Sequence, residues 1–262
     1  MYQAEALWIQ FYPSAHAVHV IPWPFAIQVA TGGVNAISGS LWKPDQRLVH
    51  QPQDYVVVPG QPWLDGFCVG NGFIRQFVAM PFGEGFTAEE QLMGEAKKGG
   101  LQIRAVPMKR DAYESLIEQE KGRFGAAYTL LGGDIPAPVP CICPSFGFAP
   151  GGRMVQDLYK SDFEPDVWDE ENAVQTFIHV LNSLQWQQVT GRAMPHPPAS
   201  ASKYTSAGLP WFDYYDDSRC SLEGSERLAG LESVAARKNR LGDALPDNDS
   251  VVPSSVIQLK KR

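Results

Sequence analysis

Trp63 and Asp65 stand two residues apart in Gln-Pro-Trp-Leu-Asp-Gly (61–66). A flat apolar ring beside a carboxylate can stack on a sugar and accept its hydroxyls. The structural alternative is a tryptophan packed under a turn, with Asp65 bonding the local backbone, and it is the stronger of the two. A second cluster, Trp-Phe-Asp-Tyr-Tyr-Asp-Asp (211–217), brings Trp211, Asp213, Tyr214, Asp216 and Asp217 together. Three carboxylates this close invite calcium, but the glycine and glutamate spacing of an EF loop is missing. Such a strip also suits a contact between proteins, where Trp and Tyr dominate the energetics. The plainer reading packs its rings on the body and leaves its acids in water.

Cys141 and Cys143 form a C-x-C, which is neither a redox helix nor a zinc knuckle. Together with Cys220 they lie in loop or polar sequence, and in an oxidising compartment they could link chains. Otherwise they are ordinary reduced thiols. His16 and His19 lack a third ligand for zinc. Ser145 in C-P-S-F-G is outside the nucleophile elbow, and Gly151-Gly152 lacks the lysine and hydroxyl of a phosphate loop. His50 and His196 sit in loops. No residue is assigned a catalytic or metal-binding role, and no cofactor is expected.

Strands must position these residues. Apolar and polar residues alternate over 4–12, and 25–30 (FAIQVA) reads as a strand. Thr31-Gly32-Gly33 turns it into a third strand over 34–38. Residues 54–59 (DYVVVP) are β-branched and closed by proline. Asn71-Gly72 opens a hairpin into 73–80, and 101–108 forms another strand in which Pro107 marks an edge or an end. Thr87 to Glu90 reads as a capping box opening a short helix. The spacing predicts helices over 111–121 and 169–190, the second carried by Val174, Phe177, Ile178, Leu181 and Leu184 with Gly191 as its stop. On that helix His179 would flank the apolar face. A further short helix fits 225–239. Residues 132–152 and 193–202 read as Pro- and Gly-rich loops, and 242–262 should fray.

The 262 residues hold 24 glycines and 21 prolines, above the usual share of ~12%, and only 19% charged residues against a usual ~25%. This is the composition of a turn-rich β protein. A net charge of -7 makes nucleic acid and anionic membranes poor partners. No run approaches the ~20 apolar residues of a membrane helix, and the start lacks a signal-peptide pattern, so the expected location is cytoplasmic.

The blocks QDYVVVPGQPWLDG (53–66), IRQFVAMPFGEGFTAEEQLMGE (74–95), GGLQIRAVP (99–107), GFAPGGRMVQDLYKSDFEPDVW (147–168) and AGLPWFDYYDD (207–217) together resemble a widespread, largely uncharacterised family of bacterial and fungal proteins. The stretch 16–24 departs from that pattern. Bacterial proteins of this kind are similar to octin, the protein of octahedral vacuolar crystals in pin-mould fungi. That resemblance implies self-association, and a vacuolar location for a fungal relative; it brings no catalytic residue with it.

The expected fold is therefore β-rich α+β: an antiparallel sandwich or barrel-like core over 1–110, helical and irregular segments over 111–220 with one long helix packed on it, and a polar tail over 221–262. Trp8, Phe25, Ile27, Val29, Tyr55, Val57, Phe77 and Val78 should supply most of the interior. The expected function is non-enzymatic self-association into oligomers or crystal-like assemblies, with a carbohydrate-binding β-sandwich module, or an enzyme with an unrecognised site, as the alternatives.

Overall fold

The computed structural model describes residues 1, 3, 5–11, 22–43, 45–121, 146–193, 206, 211–215, 219–242 and 256–260. Its strands are β1 (Ala6–Leu7), β2 (Ile9–Gln10), β3 (Phe25–Thr31), β4 (Val34–Asn35), β5 (Val56–Val58), β6 (Trp63–Leu64), β7 (Gly66–Gly70), β8 (Phe73–Pro81), β9 (Leu101–Pro107), β10 (Phe146–Val155), β11 (Val174–Ile178), β12 (Trp211–Tyr215) and β13 (Val256–Lys260). Its helices are α1 (Ala88–Met93), α2 (Arg110–Lys121), α3 (Ser183–Thr190), α4 (Glu226–Ala229) and α5 (Val234–Arg240).

Two antiparallel sheets share one plan. In the first, β8 is the spine: β10 runs along one side, and the short β1 and β7 follow each other along the other. In the second, β3 is the spine: β9 runs along one side and β5 and β4 share the other, with β11 added outside β9. The sheets pack face to face. Ile27, Val29, Val56 and Leu101 meet Phe67, Ile74, Phe77 and Phe148 in the main core. Alternation explains the division of β3: Ile27 and Val29 face this core, while Ala26 and Gln28 face away from it.

The outer faces are covered too. Tyr113 of α2 and Trp168 close over Ala26, Val57 and Val106 on the second sheet. Phe86 and Val234 close over Val78, Met80 and Ala149 on the first. Phe77 and Val78 are thus both buried, on opposite faces of one strand. Local signals hold where the sequence places them. Thr87 and Glu90 form the capping box of α1, Gly94 ends it in the left-handed region, and Gly32 and Gly33 take positive φ between β3 and β4.

Several expectations need correction. Trp8 is not core: it is 62% exposed, because Leu7 and Ile9 on either side of it pack inward. The long helix over 169–190 is absent. Residues 174–178 form β11 instead, since the β-branched alternation of Val174, Thr176 and Ile178 fits a strand and finds its partner in β9. Apart from a single 3-10 turn over Glu170–Asn172, a helix begins only at α3, where Asn182 and Gln185 make a second capping box, and Gly191 ends it as expected. His179 follows β11, exposed, with its ring 4.5 Å from that of Phe177. The supposed loop over 146–152 belongs to β10, whose register shifts between Pro150 and Arg153. The helix over 225–239 divides at Gly230 into α4 and α5. Of the tail, residues 256–260 do not fray but pair in parallel with β12.

Candidate functional site

β2 and β6 form a two-stranded ribbon in which Ile9 pairs with Leu64 and Gln10 with Trp63. Leu64 is fully buried and Ile9 packs against the main core, so Trp63, Asp65, Trp8 and Gln10 fall on the opposite, outer face. Trp63 donates its indole N–H to Asp65 Oδ2 at 2.9 Å. Asp65 therefore bonds the Trp63 side chain instead of the local backbone. Burial holds its carboxyl above the usual carboxylate range, against that one bond. The strand beneath is clamped: Gln61 and Gln156 both donate to the Trp63 carbonyl, at 3.1 and 3.3 Å, and the Asp65 N–H donates to Gln156 Oε1 at 3.0 Å. Sequence reasoning picked out Trp63 and Asp65 but put Trp8 in the core.

β11 is the second feature. Its inner side pairs with β9 over five consecutive residues without a register shift. Among the described residues no strand pairs with its outer side. All five side chains are exposed, with Val174 at 68%, Phe177 at 40% and Ile178 at 43%. The strand Val-Gln-Thr-Phe-Ile carries no charge, proline or glycine. Open backbone groups beside apolar side chains make a template for another strand. The false helical pattern hid this edge in the sequence.

A buried polar chain crosses the outer face of the second sheet. Glu170 pairs with Arg104 at 2.5 Å, Arg104 donates to Gln28 Oε1 at 3.5 Å, and Gln28 donates to Asp54 Oδ2 at 2.7 Å. Gln46 and the Val49 N–H also donate to Asp54. Burial outweighs these bonds and pushes the Asp54 carboxyl up to about 6. The chain ties the 43–54 segment to the sheet, and Leu48 N–H donates to Glu170 to close it.

A cleft of about 810 Å³ lies between residues 50–55, 160–165 and 222–227. His50 Nδ1 and the Tyr55 hydroxyl hydrogen-bond there at 2.9 Å. The nearby hydroxyls are committed elsewhere: Ser161 donates to the Phe163 carbonyl and Ser225 to the Ser38 carbonyl. His50 has a partner that can orient its ring, and among the described residues no hydroxyl or thiol is hydrogen-bonded to it as a nucleophile apart from the Tyr55 hydroxyl.

The remaining sequence candidates that are described lie away from these features. Trp211, Asp213 and Tyr214 lie on β12, where they pair with Val256, Gln258 and Leu259 of β13. Asp216, Asp217, Cys141, Cys143, His16, His19, Ser145 and His196 lie outside the described residues. Cys220 is an exposed free thiol, while burial pushes the Cys68 thiol up to about 11. Gly151 and Gly152 sit at the bulge of β10. Among the described residues no group of three His, Cys, Asp or Glu side chains is placed to hold a metal ion, and no helix is long and apolar enough to cross a membrane. No family model, curated protein or solved structure matches the chain.

Proposed function

We propose that this protein acts without catalysis, by associating with copies of itself. The open apolar edge of β11 is the observation that supports the reading. Two copies can pair this edge antiparallel about a two-fold axis. Thr176 then faces its own copy, Val174 faces Ile178, and Gln175 faces Phe177. Such a contact is self-complementary and closes at a dimer. It satisfies the outer backbone groups and covers the apolar side chains together. Growth into oligomers or crystal-like arrays needs a second surface, and the aromatic-acidic 211–217 segment, with Cys220 as a thiol that can link chains, is the second contact in this reading.

Charge regulates it. The net charge of -7 at pH 7 repels identical chains, and acidification toward the isoelectric point near 5.3 removes that repulsion. A chain in a near-neutral cytoplasm keeps that repulsion, whereas a vacuolar relative of the octin kind would meet the acidic condition. The test is sedimentation velocity from pH 7 to just above the onset of precipitation, on the native chain and on Val174→Lys/Ile178→Lys. A discrete dimer that strengthens on acidification and weakens at least tenfold in the variant is expected. A monomer at every pH, or a dimer indifferent to both lysines, overturns the reading.

A further inference from the structure

We propose that the outer face of the β2–β6 ribbon is a binding site for a neutral oligosaccharide, held by Trp8, Trp63, Asp65 and Gln10. The first observation is the exposure of Trp8, at 62% the most open of the large hydrophobic side chains among the described residues of the first half of the chain. An indole in water on a short ribbon carries a large apolar area that nothing in the described fold covers. It is not alone there. Extending the register that pairs Gln10 with Trp63 and Ile9 with Leu64 puts Trp8 level with Asp65, so Trp63 is its diagonal neighbour. Diagonal positions across two antiparallel strands lie about 7–8 Å apart between Cα atoms. Trp8 so placed can underlie one unit of an extended ligand, with Trp63 and Asp65 beside it.

The second observation is the Asp65 carboxylate. One oxygen accepts from the Trp63 indole, which fixes the plane of that ring. Among the described residues no other donor reaches the half-buried carboxylate, which leaves it with acceptor capacity for a ligand hydroxyl. Exposed Gln10 adds an amide able to donate and accept at the same level as Trp63. The third observation is rigidity. The buried amides of Gln61 and Gln156 hold the Trp63 and Asp65 backbone, so the face is preorganised and need not be ordered at a cost to affinity.

These groups select the ligand class. Aromatic planes take up the C–H faces of pyranose rings, and a carboxylate with an amide takes up their hydroxyls. A phosphate or nucleic acid would meet Asp65 and a chain of net charge -7, which disfavours it. A compact organic cation needs rings closing around one point, and diagonally offset rings on one face do not provide that.

The experiment titrates the full chain with neutral gluco-, manno-, xylo- and chito-oligosaccharides of about five to six units, each up to about 10 mM, by calorimetry and tryptophan emission, with tetramethylammonium as the cation probe. Saturable binding of at least one series is expected, with a change in tryptophan emission. Trp8→Ala should lose it, Trp8→Tyr should retain part of it, and Asp65→Asn should weaken it at least tenfold. Trp8 is exposed, so its variants should melt with the native chain. Absence of saturable binding across all four series overturns the proposal. So does binding that survives Trp8→Ala unchanged, or a response to tetramethylammonium alone.

Discussion

The two sheets are built alike and finished differently. Each has a long spine strand, a full-length neighbour on one side and two short strands in tandem on the other. The outermost long strand of the first sheet is β10. It carries Pro150, which has no N–H to offer, and its Gly151-Gly152 bulge breaks the register. Arg153 lies over the Phe73 ring, and Phe86 and Val234 pack beside Ala149. These are devices by which natural sheets keep their edges from pairing. The outermost strand of the second sheet, β11, has none of them: it is regular and uncharged, and it exposes Val174, Phe177 and Ile178 beside Gln175 and Thr176. The same chain that blunts one edge leaves the other without these devices and, among the described residues, without a strand on its outer side.

The outer faces differ as well. The first sheet covers its outer face with Val78, Met80 and Phe86, whereas part of the second buries the chain Glu170–Arg104–Gln28–Asp54. One face is held by apolar burial and the other, in part, by a titratable network.

The contrast can be broken most forcefully with two phenylalanines. Phe77→Ala, on the spine of the first sheet and fully buried, should cost about 3–5 kcal/mol in denaturant unfolding. Phe177→Ala, on the open edge, should cost the monomer less than about 1 kcal/mol and act on association instead. Equal losses would mean that β11 is as integral to the core as β8.

The titratable network gives the next effect. The Asp54 carboxyl lies at about 6 in the folded protein against 3.8 as an ordinary aspartate, so between those values the folded state holds a proton that the unfolded chain has released. Its contribution is complete below pH 3.8 and is lost as the pH rises through 6, and it amounts to at most about 3 kcal/mol. Asp65, also raised by burial, acts in the same direction. Unfolding free energy should therefore be higher at pH 5 than at pH 7, and Asp54→Asn should flatten that slope whatever it does to the baseline. A native chain whose stability falls on acidification from pH 7 to 5 would contradict this account.

A pair of lysines compares the edges themselves. Val174→Lys on β11 should weaken the dimer about tenfold, about 1.4 kcal/mol. Val155→Lys at the end of β10, at a side chain just as exposed, should leave it intact. Light scattering on both variants at one pH decides the matter, and loss in both would assign the effect to charge alone. The smallest effect belongs to Trp211→Ala, which should leave the β11 dimer in place and raise the concentration at which larger species appear. If it dissolves the dimer instead, the contact lies at 211–217.

Much of the fold was legible because its signals are local. The alternation of Phe25-Ala-Ile-Gln-Val-Ala, the paired glycines at 32 and 33 and the Thr87–Glu90 box each specify a conformation within a few residues, and each forms where it was expected. The site was legible in halves. Trp63 and Asp65 could be singled out by type and spacing, but Trp8 was misassigned, because alternation gives two faces without saying which one is buried. Over 174–184, apolar residues fit a helical stripe and a β-branched strand equally well, and the choice fell to the partner strand β9.

By itself, then, the sequence determined the β-rich class, the turns, the caps and most of the buried positions, since these follow from steric preference and hydrophobic alternation along the chain. Only the tertiary structure decided which edge has no paired strand among the described residues, that Trp8 faces water, and that Glu170, Arg104, Gln28 and Asp54 form one chain. Those properties depend on hydrogen bonds between strands far apart in sequence, and on what is packed over each face once those strands have met.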